Sequence, residues 1–463
     1  MKLIYKTILP GCLLLLALNL ASCEKYLTVD NPKDKLETSS VFADSATASM
    51  ALVGIYSDMT DVIPNFLATQ TRCAGFAADD LKTNSSAPPI QEFYMNNIRN
   101  DNTFLPTLYN ELYQDIYQAN SIIEGVTASA GISPSAKKIL TGEAKFLRAF
   151  YFFYLVNNWG DVPLTVTTDY RVNEAMPRTP VAEVYKQIIA DLTEAQESLS
   201  TGYLTPERCR PNKWAATALL ARAYLYTRNW ARADAEATKV IGAGTYLPLP
   251  ALSATFLKNS TETIFQLYPS SNEVDGSNCY DGFFFIPSLT NASIPGYAIA
   301  NSFYADFETG DNRRSQWIGI KTVNSVAHYF PYKYKVKTGT PATEYNVVLR
   351  LAEQYLIRAE AKAQLNDMSG AVQDLNVVRA RAGLSGLAVS LTQPQAIAAV
   401  EAERKHELFC EWGHRWFDLK RTGRADPVLS VVKGSNWQAT DTLWPIPIQQ
   451  LLTNPRLTQN PGY

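Results

Sequence analysis

The sequence predicts a mostly α-helical protein, and three observations support this prediction. Prolines stand where several predicted helices begin, as in Ser133-Pro134 and Thr179-Pro180, and the first helical turn tolerates proline because its N–H groups have no intrahelical partner. Two helix pairs, near 212–242 and 347–382, resemble each other. Apolar and Ala-rich residues recur at helical spacing near 41–59, 104–127, 135–157, 180–199, 212–228, 231–242, 347–366, 369–382 and 393–421.

The chain begins with a segment that resembles an export signal. Two lysines precede an apolar run from Ile8 to Leu20, which is too short to span a bilayer stably. Small residues end this run directly before Cys23, as a lipoprotein peptidase requires. We therefore predict that residues 1–22 are removed and that Cys23 is acylated, since two or three acyl chains at roughly 0.8 kcal/mol per buried methylene give stable anchoring. An ordinary secretory signal cut elsewhere is the alternative.

Charge and length limit the rest of the molecule. The 463 residues carry a formal net charge of −2, which becomes −4 without the two lysines of the signal. A nearly neutral chain of this length does not favour nucleic-acid binding. The polar residues 23–37 are predicted to form a lipidated tether. We predict a single domain over 38–463, with an N-terminal part at about 38–240 and a C-terminal part at about 260–463.

The two similar helix pairs have small residues where their helices would meet. Ala221-Arg222-Ala223 precedes a polar turn at Arg228-Asn229, and Ala359-Glu360-Ala361 precedes one at Asn366-Asp367. Small side chains let the two helices of a hairpin approach closely while the polar turn reverses the chain. This arrangement resembles the tetratricopeptide helix–turn–helix. Generic packing of Ala-rich helices is the alternative.

Two long regions, about 60–103 and 244–346, show no helical periodicity and are rich in polar and aromatic residues. Compact domains seldom carry such long loops without a use for them. Aromatic rings with polar neighbours suit sugars, whose C–H faces stack on a ring while their hydroxyls form hydrogen bonds. Composition alone selects as candidate ligand-binding residues Phe76, Asp80, Tyr94, Tyr280 and Trp317.

The segment 393–421 contains the only arrangement that suggests metal chemistry. His406, Cys410 and His414 would share one face of a continuous helix, at a spacing that can bind zinc. Gly413 is expected to interrupt that helix, so we predict no metal and no cofactor. The alternating acids and arginines of this segment are predicted to form ion pairs at the helix surface or partly buried.

The sequence gives no sign of an enzyme. It has no GxSxG elbow and no glycine loop that would hold a phosphate, and it contains three histidines. We therefore predict no catalytic residues. Apart from Cys23, the cysteines expected in the mature chain form no CxxC pair, and their spacing does not fix a disulfide pairing. They are Cys73, Cys209, Cys279 and Cys410.

Several motifs, in their order along nearly the whole chain, resemble those of the SusD/RagB family of nutrient-binding surface lipoproteins. Members usually have Glu and Gly adjacent in the late helix, whereas Trp412 stands between Glu411 and Gly413 here. The matching pieces are Cys23 followed by Tyr26-Leu27, Glu143-Ala144-Lys145-Phe146-Leu147-Arg148-Ala149 running to Asn158-Trp159-Gly160-Asp161-Val162-Pro163-Leu164, Arg350-Leu351-Ala352-Glu353 with Arg358-Ala359-Glu360-Ala361, the late helix from Glu403 to Arg421, and Leu443-Trp444-Pro445-Ile446-Pro447 with Asn460-Pro461-Gly462-Tyr463.

The resemblance implies an α-helical fold in which four tetratricopeptide-like units support a loop-rich ligand face. It also implies a lipid-anchored protein on the outer membrane, facing the cell exterior, with a SusC-like TonB-dependent transporter as partner. The predicted function is capture of a glycan for delivery to that transporter, without catalysis. Three alternatives remain: capture of peptides by the same architecture, a surface hydrolase, and a scaffold that binds only proteins.

Overall fold

The computed structural model describes residues 38–60, 65–269 and 278–463. The predicted signal, the tether and the lipidation site Cys23 lie outside these residues. Within the described ranges the protein is mostly helical, as the sequence predicts.

The first half of the described chain is built almost entirely from helices. Several start as expected, and Ser133, just before Pro134, accepts a hydrogen bond from the Ala136 N–H (3.3 Å). The helices are α1 (Thr38–Val41), α2 (Ser45–Thr60), α3 (Phe66–Ala77), α4 (Pro88–Met95), α5 (Leu105–Ala128), α6 (Pro134–Trp159), α7 (Tyr170–Asn173), α8 (Val181–Ser198), α9 (Lys213–Tyr226) and α10 (Trp230–Gly242).

The second half mixes helices with short strands. Its helices are α11 (Tyr280–Phe285), α12 (Asn301–Ala305), α13 (Arg313–Gln316), α14 (Leu351–Gln364), α15 (Met368–Ala382), α16 (Gln393–Leu408), α17 (His414–Arg421), α18 (Ala425–Lys433) and α19 (Ile448–Thr453). Short 3₁₀ helices lie at Leu252–Ala254, Gly434–Asn436 and Ala439–Thr442.

The long helices form a continuous stack. In sequence order, α5 packs on α6, α6 on α8, α8 on α9, α9 on α10, α10 on α14, and α14 on α15. Alanine lines many of these contacts, and Ala218, Ala221 and Ala359 have no exposed surface. Because each helix buries its apolar side against the next, the stack provides the rigid body on which the irregular segments rest.

The two helix pairs predicted to be alike share the same turn. Arg228 and Asn366, which occupy equivalent positions in the two pairs, both have positive φ (57° and 64°). At the next position, Asn229 caps α10 by accepting from the Arg232 N–H, and Asp367 caps α15 by accepting from the Gly370 N–H. The similarity between the pairs α9–α10 and α14–α15 therefore extends to backbone conformation and capping.

Within the described ranges, six short strands form three antiparallel pairs. Strand β1 (Leu81–Thr83) pairs with β3 (Tyr297–Ile299), β2 (Thr263–Leu267) with β6 (Asn346–Arg350), and β4 (Ile318–Val323) with β5 (Val326–Pro331) in a hairpin. In the first pair Leu81 lies opposite Ile299 and Thr83 opposite Tyr297. This pair joins the two regions that the sequence predicts to be irregular.

One prediction of secondary structure is wrong in part. The region 60–103 contains α3 and α4, and every residue of α3 is buried. A helix buried on all sides has no polar face and hence no 3.6-residue pattern. The segment 393–421 is two helices, as the interruption expected at Gly413 predicts, because the backbone between them turns with positive φ at Cys410 (50°), Trp412 (49°) and Gly413 (83°).

The ion pairs of the late helices lie in the interior, deeper than the sequence predicts. Glu407 accepts from Arg350 (2.5 Å) and from Arg381, and Arg350 also binds Glu411 (2.8 Å). Burial raises the pKa of Glu407, but the nearby arginine charges outweigh it and hold that pKa well below its ordinary value. We call this set the buried ionic network: Glu262, Asp311, Arg313, Lys333, Arg350, Arg381, Glu403, Glu407 and Glu411.

Candidate ligand-binding face

The β1–β3 pair brings the two aromatic-rich regions onto one face of the molecule. Beside this pair, Lys82 Nζ donates to the side-chain oxygen of Asn301 (3.1 Å), so a side chain of one region fixes a side chain of the other. Strand β3 also lies next to β5, which extends the same face toward the hairpin. We call the surface formed by residues 79–103 and 278–335 the loop face.

One part of the loop face is a cluster of rings around Arg72. The Arg72 guanidinium lies 3.8 Å from the centroid of the Phe284 ring and donates to the Tyr297 hydroxyl (2.9 Å). Tyr297 stacks on Phe76 with 5.5 Å between ring centroids, and Tyr94 meets the edge of Phe76 at 6.4 Å. Tyr94, Phe284 and Tyr297 are half-buried, so these rings pack against their neighbours and only part of each ring is exposed to solvent.

The second part of the loop face is a groove beside the β4–β5 hairpin, which we call the hairpin groove. It has a volume of about 520 Å³, within the range of small-molecule sites. Its walls combine aromatic, apolar and charged side chains. They are Tyr304, Asp311, Arg314, Ser315, Ile318, Gly319, Ile320 and Tyr332.

A column of stacked groups forms one wall of the hairpin groove. The rings of Tyr304 and Tyr329 are nearly parallel, with 3.6 Å between centroids, and the Arg314 guanidinium lies 4.2 Å from the Tyr304 centroid. The Nε atom of Arg314 is buried and has no hydrogen-bond partner in the structure. The column therefore fixes a cationic donor whose hydrogen-bonding capacity is not fully used.

Tyr332 provides the other aromatic wall. Its backbone N–H donates to the Trp317 carbonyl (2.8 Å), and Lys335 Nζ lies 4.0 Å from its ring centroid. Burial lowers the pKa of Lys335 to about 8. Gly319 lies between these walls, where an added Cβ would come within 2.2 Å of the Phe330 ring. A side chain at this position would collide with the hairpin that supports the groove.

Comparison with known proteins identifies the family. A family model described as "Starch-binding associating with outer membrane" matches residues 25–225, and the model of the SusD family matches residues 301–463. A SusD-like protein of Formosa agariphila is 27% identical, and the alignment covers 96% of this chain and 97% of that protein. The chain belongs to the SusD/RagB family. The SusD fold also agrees with solved structures.

Two solved SusD structures are informative. A SusD superfamily protein from Bacteroides vulgatus superposes with a TM-score of 0.80 at 20% identity, over 91% of this chain and 100% of that one. A structure named as a laminarin-binding SusD-like protein superposes with a TM-score of 0.75 at 25% identity, over 90% of this chain and 99% of that one. Both therefore share the fold over about nine-tenths of this chain.

Four of the five residues that composition selects lie inside the SusD fold. Trp317 has no exposed surface, and its indole N–H donates to the Leu252 carbonyl (2.9 Å). The Tyr280 hydroxyl donates to the Thr60 carbonyl (2.7 Å). Phe76 and Asp80 are also buried, and of the five only Tyr94 reaches the loop face. As placed, the buried rings offer no face to a sugar, so their role in binding stays a prediction without geometric support.

Composition missed the groups that line the hairpin groove. Tyr304 and Tyr332 belong to the same aromatic-rich region as Trp317, and no sequence feature separates exposed rings from core rings. The neighbours Arg313 and Arg314 show the same difficulty, because Arg313 lies in the buried ionic network and Arg314 lines the groove. The two arginines are adjacent at the start of α13, and their different directions depend on how that helix is placed in the fold.

The residues considered for metal binding do not form a site. The break between α16 and α17 separates them, and each has a different neighbour: His406 contacts Asp306 (3.1 Å), Cys410 lies near Asp80, and His414 lies 4.0 Å from Glu353. Across the three described ranges, no group of His, Cys, Asp and Glu is arranged to hold a metal ion. Cys73, Cys209, Cys279 and Cys410 are free thiols.

The lengths and hydropathy of the helices also bear on membrane crossing. None of the helices within 38–60, 65–269 and 278–463 is both long and apolar enough to cross a membrane.

Proposed function

We propose that this SusD-family chain binds a glycan at the loop face, with the hairpin groove as the principal site. The observation that carries this proposal is that Tyr332 lines the same groove as Tyr304 and Arg314, the two members of the stacked column that border it. A sugar ring can stack its C–H face on the Tyr332 ring, while the guanidinium of Arg314 donates to its hydroxyls. Asp311 offers little acceptor capacity, because both its carboxylate oxygens already bind Arg313.

The ligand class that we infer for this groove is a glucose-based oligosaccharide. A relative with 25% identity is named for binding laminarin, and the model that matches 25–225 is described as starch-binding. Laminarin and starch are both glucose polymers. We therefore choose them as the first probes, with xylan, mannan and mucin glycans as comparisons.

We further infer that the chain is anchored to the outer membrane by lipid on Cys23 and passes its ligand to a SusC-like TonB-dependent transporter. Support comes from the small residues that precede Cys23 and from the family description of an association with the outer membrane. Weak binding is expected, and it would suit capture followed by release. A few stacking contacts at about 1 kcal/mol each, with hydrogen bonds, give affinities from micromolar to millimolar.

Isothermal titration of the full-length chain, purified in detergent, tests the binding site. We expect saturable binding of laminarin or starch, weakened at least roughly fivefold by Tyr332→Ala and by Arg314→Gln, because each removes one contact worth about 1 kcal/mol. Tyr170→Ala is the matched control, since Tyr170 is 69% exposed and lies outside the hairpin groove.

Three results would contradict the proposal. Glycan binding that is equal in the wild type and in both groove variants would place the site elsewhere on the molecule. Binding of peptides with no response to any glycan would favour the peptide alternative. Release of reducing sugar from a bound polysaccharide would favour a surface hydrolase.

A further inference from the structure

A second groove lies along α5, and none of the residues that line it belongs to the loop face; we call it the α5 groove. It has a volume of about 380 Å³ and runs between α5, the segment 163–174 and the residues of and after α19. Hydrogen bonds fix its walls relative to one another: the Tyr113 hydroxyl donates to the Pro163 carbonyl (2.9 Å), and the Gln450 amide donates to Asn110 (3.0 Å). Its shape is therefore set by the fold.

Three tyrosines form one wall of the α5 groove. Tyr109, Tyr113 and Tyr117 recur every four residues, so they lie along one face of α5. The ring centroids of Tyr109 and Tyr113 are 4.9 Å apart and their ring planes are tilted by 45°, so these two rings pack against each other. Tyr117 is 54% exposed, so its ring is open at the outer end of the wall. A row of aromatic rings whose last member is exposed suits a ligand with flat C–H faces that can stack on that ring.

Two of the polar groups that line the α5 groove, Asn173 and Glu174, can accept hydrogen bonds from a ligand. The amide nitrogen of Asn173 donates to the Thr167 carbonyl (2.7 Å), but its Oδ1 atom is buried and has no partner. A buried acceptor without a donor is unfavourable, and a ligand hydroxyl that reaches this atom would supply the missing donor. Glu174, at the same end, adds an exposed carboxylate. No lysine or arginine is among the described residues that line the groove.

These features select the ligand class. An anion is disfavoured because the groove contains a carboxylate and no cation to balance it. A purely apolar ligand would leave the Asn173 oxygen unpaired. A neutral ligand with many hydroxyl groups can donate hydrogen bonds to the acceptors, and its C–H faces can stack on the tyrosine rings. A saccharide has both properties.

We propose that the α5 groove is a second saccharide site, which stacks a neutral sugar against Tyr117 and accepts its hydroxyls at Asn173 and Glu174. This inference rests on the proposed function in that the chain handles glycans, but it uses none of the residues that line the hairpin groove. The two sites can therefore be removed separately.

Titration of the full-length chain with three glucose trisaccharides, laminaritriose, maltotriose and cellotriose, tests the inference. We expect the Tyr332→Ala variant to retain binding to at least one of them. Adding Tyr117→Ala to that variant is expected to weaken the remaining binding at least roughly fivefold, whereas Tyr117→Phe, which keeps the ring, restores it. Tyr170→Ala on α7 is the matched control, because this exposed ring lies near the groove but does not line it.

Each outcome separates the two sites. Binding abolished by Tyr332→Ala alone overturns the second site and supports the first. Residual binding that is unchanged by Tyr117→Ala also overturns the second site. Binding that Tyr117→Ala weakens and that neither Tyr332→Ala nor Arg314→Gln affects supports the α5 groove and overturns the hairpin groove. A wild-type chain that binds none of the three trisaccharides overturns the inference.

Discussion

Asp79 and Asp80 are adjacent carboxylates whose surroundings drive their pKa values apart. Asp79 accepts two hydrogen bonds from Arg415, at 2.6 and 2.8 Å. Burial raises the pKa of Asp79, but the bonds and charge of Arg415 outweigh it, and the pKa lies below its ordinary value. Asp80 has one backbone donor, the Cys410 N–H (3.1 Å), and its Oδ1 atom has none. Burial and the charge of Asp79 raise the pKa of Asp80 to about 6.

The raised pKa predicts how Asp80 affects stability. Between pH 3.8, the ordinary value, and pH 6, the folded protein keeps a proton that the unfolded chain has lost, so stability falls as the pH rises and stays low above pH 6. The Asp80→Asn variant lacks this loss. We therefore expect the free energy of unfolding of Asp80→Asn, relative to that of the wild type, to rise by on the order of 2 kcal/mol between pH 4 and pH 7.5, as measured by urea unfolding.

Asp79→Asn is the control because its pKa shift has the opposite sign. Asp79 stabilises the fold above its ordinary pKa of 3.8 and loses this contribution only at lower pH, so the deficit of Asp79→Asn relative to the wild type should be nearly the same at pH 4 and at pH 7.5. An Asp80→Asn effect that is the same at both pH values would show that Asp80 is not titrating in this range.

The choice of ligand-binding residues shows what sequence can predict at this scale. The aromatic composition of 244–346 directs attention to the region that contains Tyr304 and Tyr332, which line the proposed site. It could not distinguish these side chains from Trp317, because all three are aromatic and have polar neighbours. Burial depends on contacts such as the one between the Trp317 indole and the Leu252 carbonyl, 65 residues away, which no local pattern encodes.

Among the elements, the repeated helix turns were the most predictable feature. Both helix pairs carry small residues and turn residues at equivalent positions, and the structure reproduces this likeness in the conformations of Arg228 and Asn366. The turn chemistry is local, so the sequence reveals it directly. Helix α3 is the opposite case, because complete burial removes the polar face that periodicity requires.

The break between α16 and α17 depends on both local and distant contacts. Gly413 marks it in the sequence, since its positive φ of 83° suits glycine. Trp412 also takes a positive φ, and its indole N–H donates to the Val347 carbonyl (2.8 Å) while its backbone N–H donates to Thr71 (3.2 Å). Contacts with two separate segments hold a conformation that a tryptophan would rarely adopt alone.

Helix α16 depends on Glu407 for its attachment to the rest of the molecule. Glu407 faces Arg313, Arg350 and Arg381 in the buried ionic network, so replacing it leaves buried positive charge without compensation. We expect Glu407→Gln to reduce the free energy of unfolding by about 3–5 kcal/mol, as measured by urea unfolding at pH 7.

Glu401 on the same helix provides a matched control. Its carboxylate is partly exposed and lies 3.8 Å from Arg415 and 3.6 Å from Arg424, beyond hydrogen-bond distance. Glu401→Gln should therefore change stability by less than about 0.5 kcal/mol. A loss below about 1 kcal/mol in Glu407→Gln would show that the network relaxes or admits water when this charge is removed.

At the scale of the whole molecule, sequence motifs predict the family more completely than they predict the binding surfaces. The family motifs lie in core segments, such as Arg350-Leu351-Ala352-Glu353, where Arg350 and Glu353 are fully buried. The walls of the α5 groove come from segments that are far apart in the sequence, and none of them has an unusual composition. The groove exists only in the folded chain, where contacts such as the hydrogen bond from Gln450 to Asn110 bring these segments together. Surfaces assembled from distant segments require the folded chain.

The anchoring of the whole molecule is tested at Cys23. Replacing Cys23 with serine removes the thiol that would be acylated, and each lost acyl methylene removes roughly 0.8 kcal/mol of membrane affinity. In a cell fractionation we expect the Cys23→Ser variant to be absent from the outer-membrane fraction. When tagged protein is purified, we expect a SusC-like transporter to co-purify with the wild type and not with this variant. Ser22→Ala is the control, because it keeps a small residue before the cysteine. Equal amounts of Cys23→Ser and wild type in the outer membrane would mean that another attachment holds the protein there.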